Sequence, residues 1–245
     1  MSVVSKGKKV ANLGLQWFRD IYRNRKLILD LANKDFKSRY AASYLGIIWA
    51  FVQPIVTVAI YILVFQLGFK AKPVRDVPYA LWLVVGIVPW LFFQEALLSA
   101  TNSLIEFSYL VKKVVFKISV LPMVKIISAF YVHIFFVGVA VILYFAFGYT
   151  PHLYMIQVIY YTFSAVILVL GFSYITASMV VFFRDLGQIV SILLQFGMWL
   201  TPIMWNMDDL EWMTQGIHRF LKLNPMYYIT SGYRDAFLNR VWFWE

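Results

Sequence analysis

Long apolar runs separated by short polar segments dominate the chain. No Asp, Glu, Lys or Arg occurs from Ala41 to Phe69 or from Ile126 to Phe183. Because about 20 helical residues cross a bilayer core, the second run is long enough for two spans. The turn-forming sequence from Gly148 to Pro151 divides it. The pattern predicts an all-α polytopic membrane protein with five transmembrane helices, at about residues 43–69, 78–103, 126–147, 154–182 and 186–205.

Three further segments are not plain loops. Residues 1–40 form a basic tail followed, from Leu13 to Leu31, by a helical pattern with apolar residues near one face. This predicts an amphipathic helix in the membrane interface, and a soluble basic tail is the alternative. Residues 104–122 are too charged to span and predict a short amphipathic helix. Residues 206–245 hold two short apolar pieces separated by Asn224-Pro225, which predicts an external re-entrant segment.

The charge distribution predicts the orientation. Of the net charge of +10, residues 1 to 39 contribute +7 directly before the first apolar run. A basic total also raises nucleic acid as a partner, but this position is typical of the positive-inside signal. With the N-terminus in the cytoplasm, the cytoplasmic segments hold 15 Lys and Arg and the opposite side holds 7. We therefore expect a cytoplasmic N-terminus and no nucleic-acid partner.

No set of residues in the sequence carries catalytic chemistry. The chain has no cysteine, no P-loop, no H-E-x-x-H and no G-x-S-x-G motif. We therefore predict no catalytic residues, no metal and no cofactor in this chain. The acidic run Asp208-Asp209-Leu210-Glu211 is interpreted as a solvated external loop rather than a Mg²⁺ site. His133 is interpreted as a helix–helix hydrogen bond rather than a proton relay.

Glu95 is an acid well inside a predicted span. An intramembrane carboxylate is a functional candidate. Lys125 opens the next span on the same side, so a Glu95–Lys125 ion pair is expected, with a substrate-gating role as the alternative.

Four stretches of the sequence form an ordered set of motifs. They are Asp35 to Tyr40 with Ser43, Leu45-Gly46, Trp49 and Pro54; Leu110 to Phe116 with Leu121-Pro122; Phe183-Arg184-Asp185 with Thr201-Pro202-Ile203; and Leu223-Asn224-Pro225 with Tyr233-Arg234. In this order they resemble the permease subunits of ABC-type polysaccharide exporters, which handle O-antigen, capsule and teichoic acid. The resemblance covers about Leu15 to Leu238.

The resemblance implies a homodimer of this chain with two copies of a separate P-loop ATPase, which would bind ATP and Mg²⁺. The implied cargo is a lipid-linked polysaccharide, moved outward across the bacterial cytoplasmic (inner) membrane. Two other classes stay open from the residues alone. A secondary transporter of a small solute should show several intramembrane charges or paired broken helices. A membrane-embedded enzyme acting on lipid-linked sugars should show an acid–base or metal set.

The resemblance and the residue chemistry together indicate four candidate sites. Aromatic side chains inside spans suit a glycan channel because their faces stack on the C–H faces of sugars without trapping the chain. The sites are an ATPase-coupling surface (Phe107, Tyr109, Leu110, Lys112, Lys113 and Phe116); a cytoplasmic boundary where a lipid headgroup would enter (Arg39 and Tyr40); a substrate channel (Tyr61, Phe65, Trp90, Phe93, Glu95 and Trp199); and an external gate (Pro202, Asn224, Pro225 and Arg234).

The chain departs from the family pattern at three places. Lys117 follows the coupling Phe where the family usually has Pro, and Thr201 and Trp205 stand where Ser and Tyr are frequent. The family also has a sixth span, which would follow residue 245. We expect that the sequence continues into such a span, and a different topology is the alternative.

Overall fold

The computed structural model describes residues 19–41, 43–108, 118–207 and 215–244. Within these ranges the chain is almost entirely helical and contains no strand, apart from one bridge between Val74 and Val77. The predicted all-α architecture is confirmed. The helices are α1 (Arg25–Ser38), α2 (Gly46–Gly68), α3 (Tyr79–Glu106), α4 (Ile118–Ala146), α5 (Leu153–Val180), α6 (Leu186–Leu200), α7 (Gln215–Leu221) and α8 (Pro225–Arg234).

Four of these helices, α2 to α5, are long and apolar enough to cross a membrane. They coincide with the first four predicted spans, although α4 begins eight residues before the predicted residue 126. Helix α6 has 15 residues and, at a rise of about 1.5 Å per residue, a length of about 22 Å. The chain then turns between Thr201 and Met207. The fifth predicted span therefore consists of a shorter helix followed by irregular backbone.

Helix α3 is the centre of the bundle. It packs against α2, α4, α5, α6 and α8, and most of its residues are buried, including Leu81, Leu83 and Ile87. A helix that is apolar on all sides is expected to be surrounded by other elements. Helix α2 is equally apolar, yet only Ala50 and Val58 are buried within it. Its outer surface is therefore available to lipid or to a second copy.

Helix α1 lies against the first turns of α4 rather than apart from the bundle. The predicted amphipathic helix ended at Leu31, whereas the helix continues to Ser38. Its buried positions Ile28, Ala32 and Asp35 follow the spacing of one helical face. The two apolar members pack in a small cluster with Phe107, Val120, Leu121 and Val124. Tyr22 and Leu29, both predicted on the apolar face, are exposed.

The segment after α6 folds back onto the bundle. Helix α8 begins at Pro225, directly after Asn224, whose side-chain oxygen accepts a hydrogen bond from the Met226 backbone N–H at 3.0 Å. An Asn cap followed by Pro in the first turn is a strong start signal for a helix. The predicted break at Asn224-Pro225 is confirmed. Helix α8 packs against α3 and α5, at the end of the bundle opposite α1.

Candidate functional site

Five charged side chains form a cluster where α1 meets α3 and α4. Asp35 lies at its centre with a side chain only 5% exposed. It accepts Lys125 Nζ at 2.6 Å and lies 3.0 Å from an Arg39 terminal nitrogen. Arg39 also pairs with Glu95 of α3, and Lys125 also pairs with Glu106 near the end of α3. We call these five residues the charge cluster.

The prediction of a Glu95–Lys125 ion pair is wrong. Lys125 lies about two turns into α4 and pairs with Asp35 and Glu106 instead. It also lies 4.8 Å from the centre of the Phe107 ring. The pairing differs because Asp35 of α1 reaches Lys125. The spacing of residues within the spans gives no indication of this contact.

Arg39 is held between two carboxylates at the α1 end of the bundle. Burial lowers the pKa of Arg39, but attraction to Glu95 and Asp35 outweighs burial and leaves that pKa above its usual value. Burial, helped by the nearby Glu95 carboxylate, raises the pKa of Tyr40. Arg39 is therefore charged and Tyr40 neutral near pH 7. The cluster as a whole has three carboxylates and two cations, so its formal charge is −1.

Only one of the predicted coupling residues lies in the part of the chain that the structure describes. Phe107 is 8% exposed and packs against Ile28 and Ala32 of α1. Phe107 therefore connects the end of α3 to α1 and is not an exposed residue available for docking the ATPase. Tyr109, Leu110, Lys112, Lys113 and Phe116 lie outside the described residues.

The six predicted channel residues do not form one surface. Tyr61 and Glu95 line a cavity between α1, α2, α3 and α4. Trp90 and Phe93, with ring centres 5.6 Å apart, line an apolar groove between α3, α5, α6 and α7. Phe65 stacks on Tyr79 at 6.0 Å. Trp199 is 53% exposed on α6.

The apolar groove connects the channel prediction to the gate prediction. Its wall includes Asn224 and Pro225 as well as Trp90 and Phe93. A Cβ atom at Gly197 would lie 2.9 Å from the Trp90 ring, so only glycine lets α6 approach this indole closely.

Arg234 is a buried cation at the end of α8. Its terminal nitrogens donate hydrogen bonds to the carbonyl oxygens of Pro202 at 2.6 Å and Ile203 at 2.7 Å. Its guanidinium lies 3.5 Å from the centre of the Trp82 ring. A Cβ atom at Gly86 would overlap this guanidinium, so the glycine makes the room that Arg234 occupies. Arg234 thus fastens α8 to α3 and to the turn after α6.

The other gate residues support the same turn. Asn224 donates a hydrogen bond to the Thr201 hydroxyl at 2.8 Å, and the Tyr79 hydroxyl donates to the Met204 carbonyl at 2.8 Å. The turn from Thr201 to Met207 therefore accepts hydrogen bonds from α3, from the connection between α7 and α8, and from α8 itself. This network satisfies the backbone groups that become free where α6 ends.

His133 joins three helices through a polar contact inside the bundle. Its Nε2 atom lies 3.0 Å from the Tyr233 hydroxyl of α8 and 3.4 Å from the Thr162 hydroxyl of α5. The interpretation of His133 as a helix–helix hydrogen bond is confirmed.

Sequence reasoning missed Asp35 and Trp82 as parts of these contacts and assigned Lys125 the wrong partner. A signal for Asp35 was available, because it continues the buried face of Ile28 and Ala32 at helical spacing. A second was Gly86, a glycine within a run of bulky apolar residues. Among the described residues there is no group of three or more His, Asp or Glu that could hold a metal ion. The acidic run from Asp208 to Glu211 lies outside them.

Comparison with known proteins places the chain in a family. The chain is 31% identical over 218 residues to the O-antigen export system permease protein RfbA of Klebsiella pneumoniae, which spans 87% of this chain and 80% of that protein. It is 27% identical over 225 residues to the protein of the same name from Myxococcus xanthus, spanning 89% of this chain and 83% of that one. The sequence profile described as ABC-2 type transporter matches residues 26–238. This multi-pass membrane protein belongs to the ABC-2 type transporter family.

Proposed function

We propose that this chain is the channel-forming membrane subunit of an ATP-driven polysaccharide exporter. Its cargo is a lipid-linked polysaccharide of the O-antigen, capsule or teichoic acid type, moved from the cytoplasm to the outer side of the membrane. One observation carries the proposal: similarity to proteins named as O-antigen export permeases extends over 87% of the chain. ATP hydrolysis is proposed to take place in a separate P-loop subunit, as the resemblance to ABC-type exporters implies.

The assembly proposed here has two copies of this chain and two of the ATPase in a bacterial inner membrane. The α1 end faces the cytoplasm, in agreement with the excess of Lys and Arg on that side. The exposed apolar surface of α2, with Ile55, Ile60 and Leu63, supports contact with a second copy. The channel is formed between the copies. We propose that Trp199, which is 53% exposed, faces this channel, whereas Trp90 and Phe93 are buried within one copy.

ATPase docking is proposed at residues 104–122. Both ends of this segment are anchored to α1, through Phe107 on one side and Val120 and Leu121 on the other. The charge cluster ties the same helix to α3 and α4. A displacement of the segment would therefore move α1, α3 and α4 together. This supports coupling as its role, with Arg39 and Tyr40 at the boundary where a lipid headgroup enters.

The proposal is tested by co-purification with a P-loop ATPase encoded beside this chain. ATP hydrolysis by the complex in nanodiscs is measured with and without lipid-linked glycan. We expect the glycan to stimulate hydrolysis. If the complex is stable but its ATP hydrolysis is stimulated by a small solute and by no lipid-linked glycan, a different class of transporter is favoured instead.

Leu110→Asp is expected to abolish export and glycan-stimulated ATP hydrolysis while membrane insertion persists. A carboxylate at an apolar docking position must be desolvated on binding, which costs several kcal/mol unless it is paired, on the order of the affinity of a weak interface. The measurements are glycan at the cell surface, ATPase activity and the amount of inserted protein.

The matched control is Leu153→Asp, which places the same charge at a leucine that is 81% exposed at the opposite end of the bundle. This variant should export normally. Normal export in Leu110→Asp would contradict the coupling role.

A further inference from the structure

A cavity of about 250 Å³ lies within a single copy of the chain, between α1, α2, α3 and α4. Arg39, Tyr40 and Glu95 line one end of it, and His133 and Phe136 line the other. From Glu95 to Val88 the wall follows α3 for seven residues, or about 10 Å at the helical rise. The cavity therefore extends from the α1 end of the bundle into the depth of the spans.

Its lining combines two kinds of side chain. Hydrogen-bonding groups come from Gln53, Thr57, Gln94, Ser128 and Glu95. Aromatic rings come from Phe36, Tyr40, Trp49, Tyr61, Phe92 and Phe136. An acyl chain bound in the cavity would leave the polar groups without hydrogen-bond partners, and a small ion would make no contact with the aromatic rings. A ligand that suits both carries hydroxyl groups around its edge and an apolar face.

One hydroxyl group in the cavity wall, that of Ser128, has no hydrogen-bond partner among the residues described. Ser128 is 1% exposed. Hydroxyls elsewhere in the spans, such as those of Ser99 and Thr101, donate to the carbonyl of the preceding turn. A buried unsatisfied hydroxyl is unfavourable because it has lost its hydrogen bonds to water. Ser128 belongs to the lining of a polar cavity, so a rotation of its side chain would bring the hydroxyl to a partner held there.

The charge at the cavity mouth excludes an anion as the best partner. The Arg39 guanidinium is flanked by the carboxylates of Asp35 and Glu95, which together exceed its charge, and one of its terminal nitrogens makes no hydrogen bond among the residues described. The Glu95 side chain is 50% exposed, so an incoming phosphate would meet a carboxylate. A neutral ligand with hydroxyl donors meets no such repulsion, and a carboxylate can accept several hydrogen bonds from it.

We propose that this cavity binds one sugar ring of a lipid-linked glycan, inside each copy, before the glycan enters the channel. The inference rests on the proposed function and adds a binding site to it. Tyr61 and Trp49 would stack on the apolar face of the ring, and Glu95, Gln53, Gln94 and Ser128 would bind its hydroxyls. The volume suits a single ring, since pockets for drug-sized ligands measure about 300–1,000 Å³.

The test uses the absence of cysteine from the chain. Thr57→Cys adds one thiol on the cavity wall at a partly exposed position. The variant is co-purified with its ATPase and placed in phosphatidylcholine nanodiscs. Its reaction with a small charged methanethiosulfonate is followed on this chain by mass spectrometry. The nanodiscs contain monoglucosyl-diacylglycerol, plain diacylglycerol or phosphatidylglycerol.

We expect the thiol of Thr57→Cys to react in plain membranes and to react at least fivefold more slowly with monoglucosyl-diacylglycerol. Plain diacylglycerol and phosphatidylglycerol should not protect it. The control Ser38→Cys lies at the exposed end of α1, outside the cavity lining, and should react equally in all membranes. Adding Gln53→Leu to Thr57→Cys should weaken the protection, because one hydroxyl partner is lost.

Three results would overturn the site. Equal reaction in all membranes means that the cavity holds only water, and protection by phosphatidylglycerol means an anionic headgroup site. Failure of the thiol to react at all means that the cavity is closed to solvent. These results are separable from failure of the proposed function, because glycan-stimulated ATP hydrolysis by the unaltered complex is measured independently.

Discussion

Asp35→Asn is expected to lower the melting temperature of the purified protein by roughly 10 °C. Asp35 is the common partner of Arg39 and Lys125, and it is almost fully buried. Asn cannot replace the charge that Asp35 supplies to the buried Lys125 ammonium, whose other partner, Glu106, is half exposed. Because each cation keeps one carboxylate, we expect a cost at the lower end of the about 3–5 kcal/mol for breaking a buried ion pair. For a chain of this size, about 1 kcal/mol corresponds to 2–4 °C.

The expected consequence extends beyond stability. Since Asp35 is the member of the cluster that α1 contributes to Lys125, its loss should also separate α1 from α4. Glycan-stimulated ATP hydrolysis should fall, whereas basal hydrolysis should change less. Melting curves in detergent and ATPase assays in nanodiscs measure the two effects.

Asp30→Asn is the matched control. It makes the same chemical change on an exposed position of the same helix, and exposed substitutions usually alter stability by less than about 0.5 kcal/mol. Equal melting temperatures for Asp35→Asn and Asp30→Asn would show that the charge cluster contributes nothing to stability.

Arg234→Met is expected to destabilise the end of the bundle opposite α1 by about 3 kcal/mol. The substitution removes the donors of the Pro202 and Ile203 carbonyls, and each buried carbonyl left unsatisfied costs about 1–3 kcal/mol. Loss of the buried charge offsets part of this cost. Hydrogen exchange should therefore accelerate in α8 and in the turn from Thr201 to Met207.

Two further variants define the role of Arg234. Arg240→Met changes an exposed arginine six residues later and should leave hydrogen exchange unaltered. Gly86→Val should reproduce the effect of Arg234→Met from the other side, because a side chain at residue 86 occupies the space of the guanidinium. Unchanged exchange in both Arg234→Met and Gly86→Val would refute the role of this contact as a fastening of α8.

The aromatic residues show where pattern reasoning stops. Trp90, Phe65 and Tyr61 were grouped as channel residues because all are aromatic and lie inside spans. The structure places them in a groove, a stack and a cavity respectively. The sequence shows that an aromatic residue lies within an apolar span, but it does not show in which direction the side chain points. Direction depends on the rotation of each helix about its axis, and packing against neighbours decides that rotation.

Arg234 and Lys125 illustrate the same limit for charges. The sequence indicated that both were unusual, one through the family motif and one through its place at the start of a span. Their partners lie 32 and 90 residues away in the chain, at Pro202 and Asp35. Contacts over such separations follow from how helices assemble, and no local pattern encodes them.

The amino-acid sequence predicted the all-α membrane architecture, the first four long apolar helices and the helix break at Asn224-Pro225, and its motifs indicated the family. The first three follow from local chemistry, since lipid requires long apolar helices whose backbone groups are satisfied internally. Helix packing determined that α3 is the central helix, that Asp35 joins α1 to α4, and that Arg234 is buried. It also brought Ser128 and Tyr61 to one cavity. Each of these depends on which faces of separate helices meet, and that is a property of the assembled bundle.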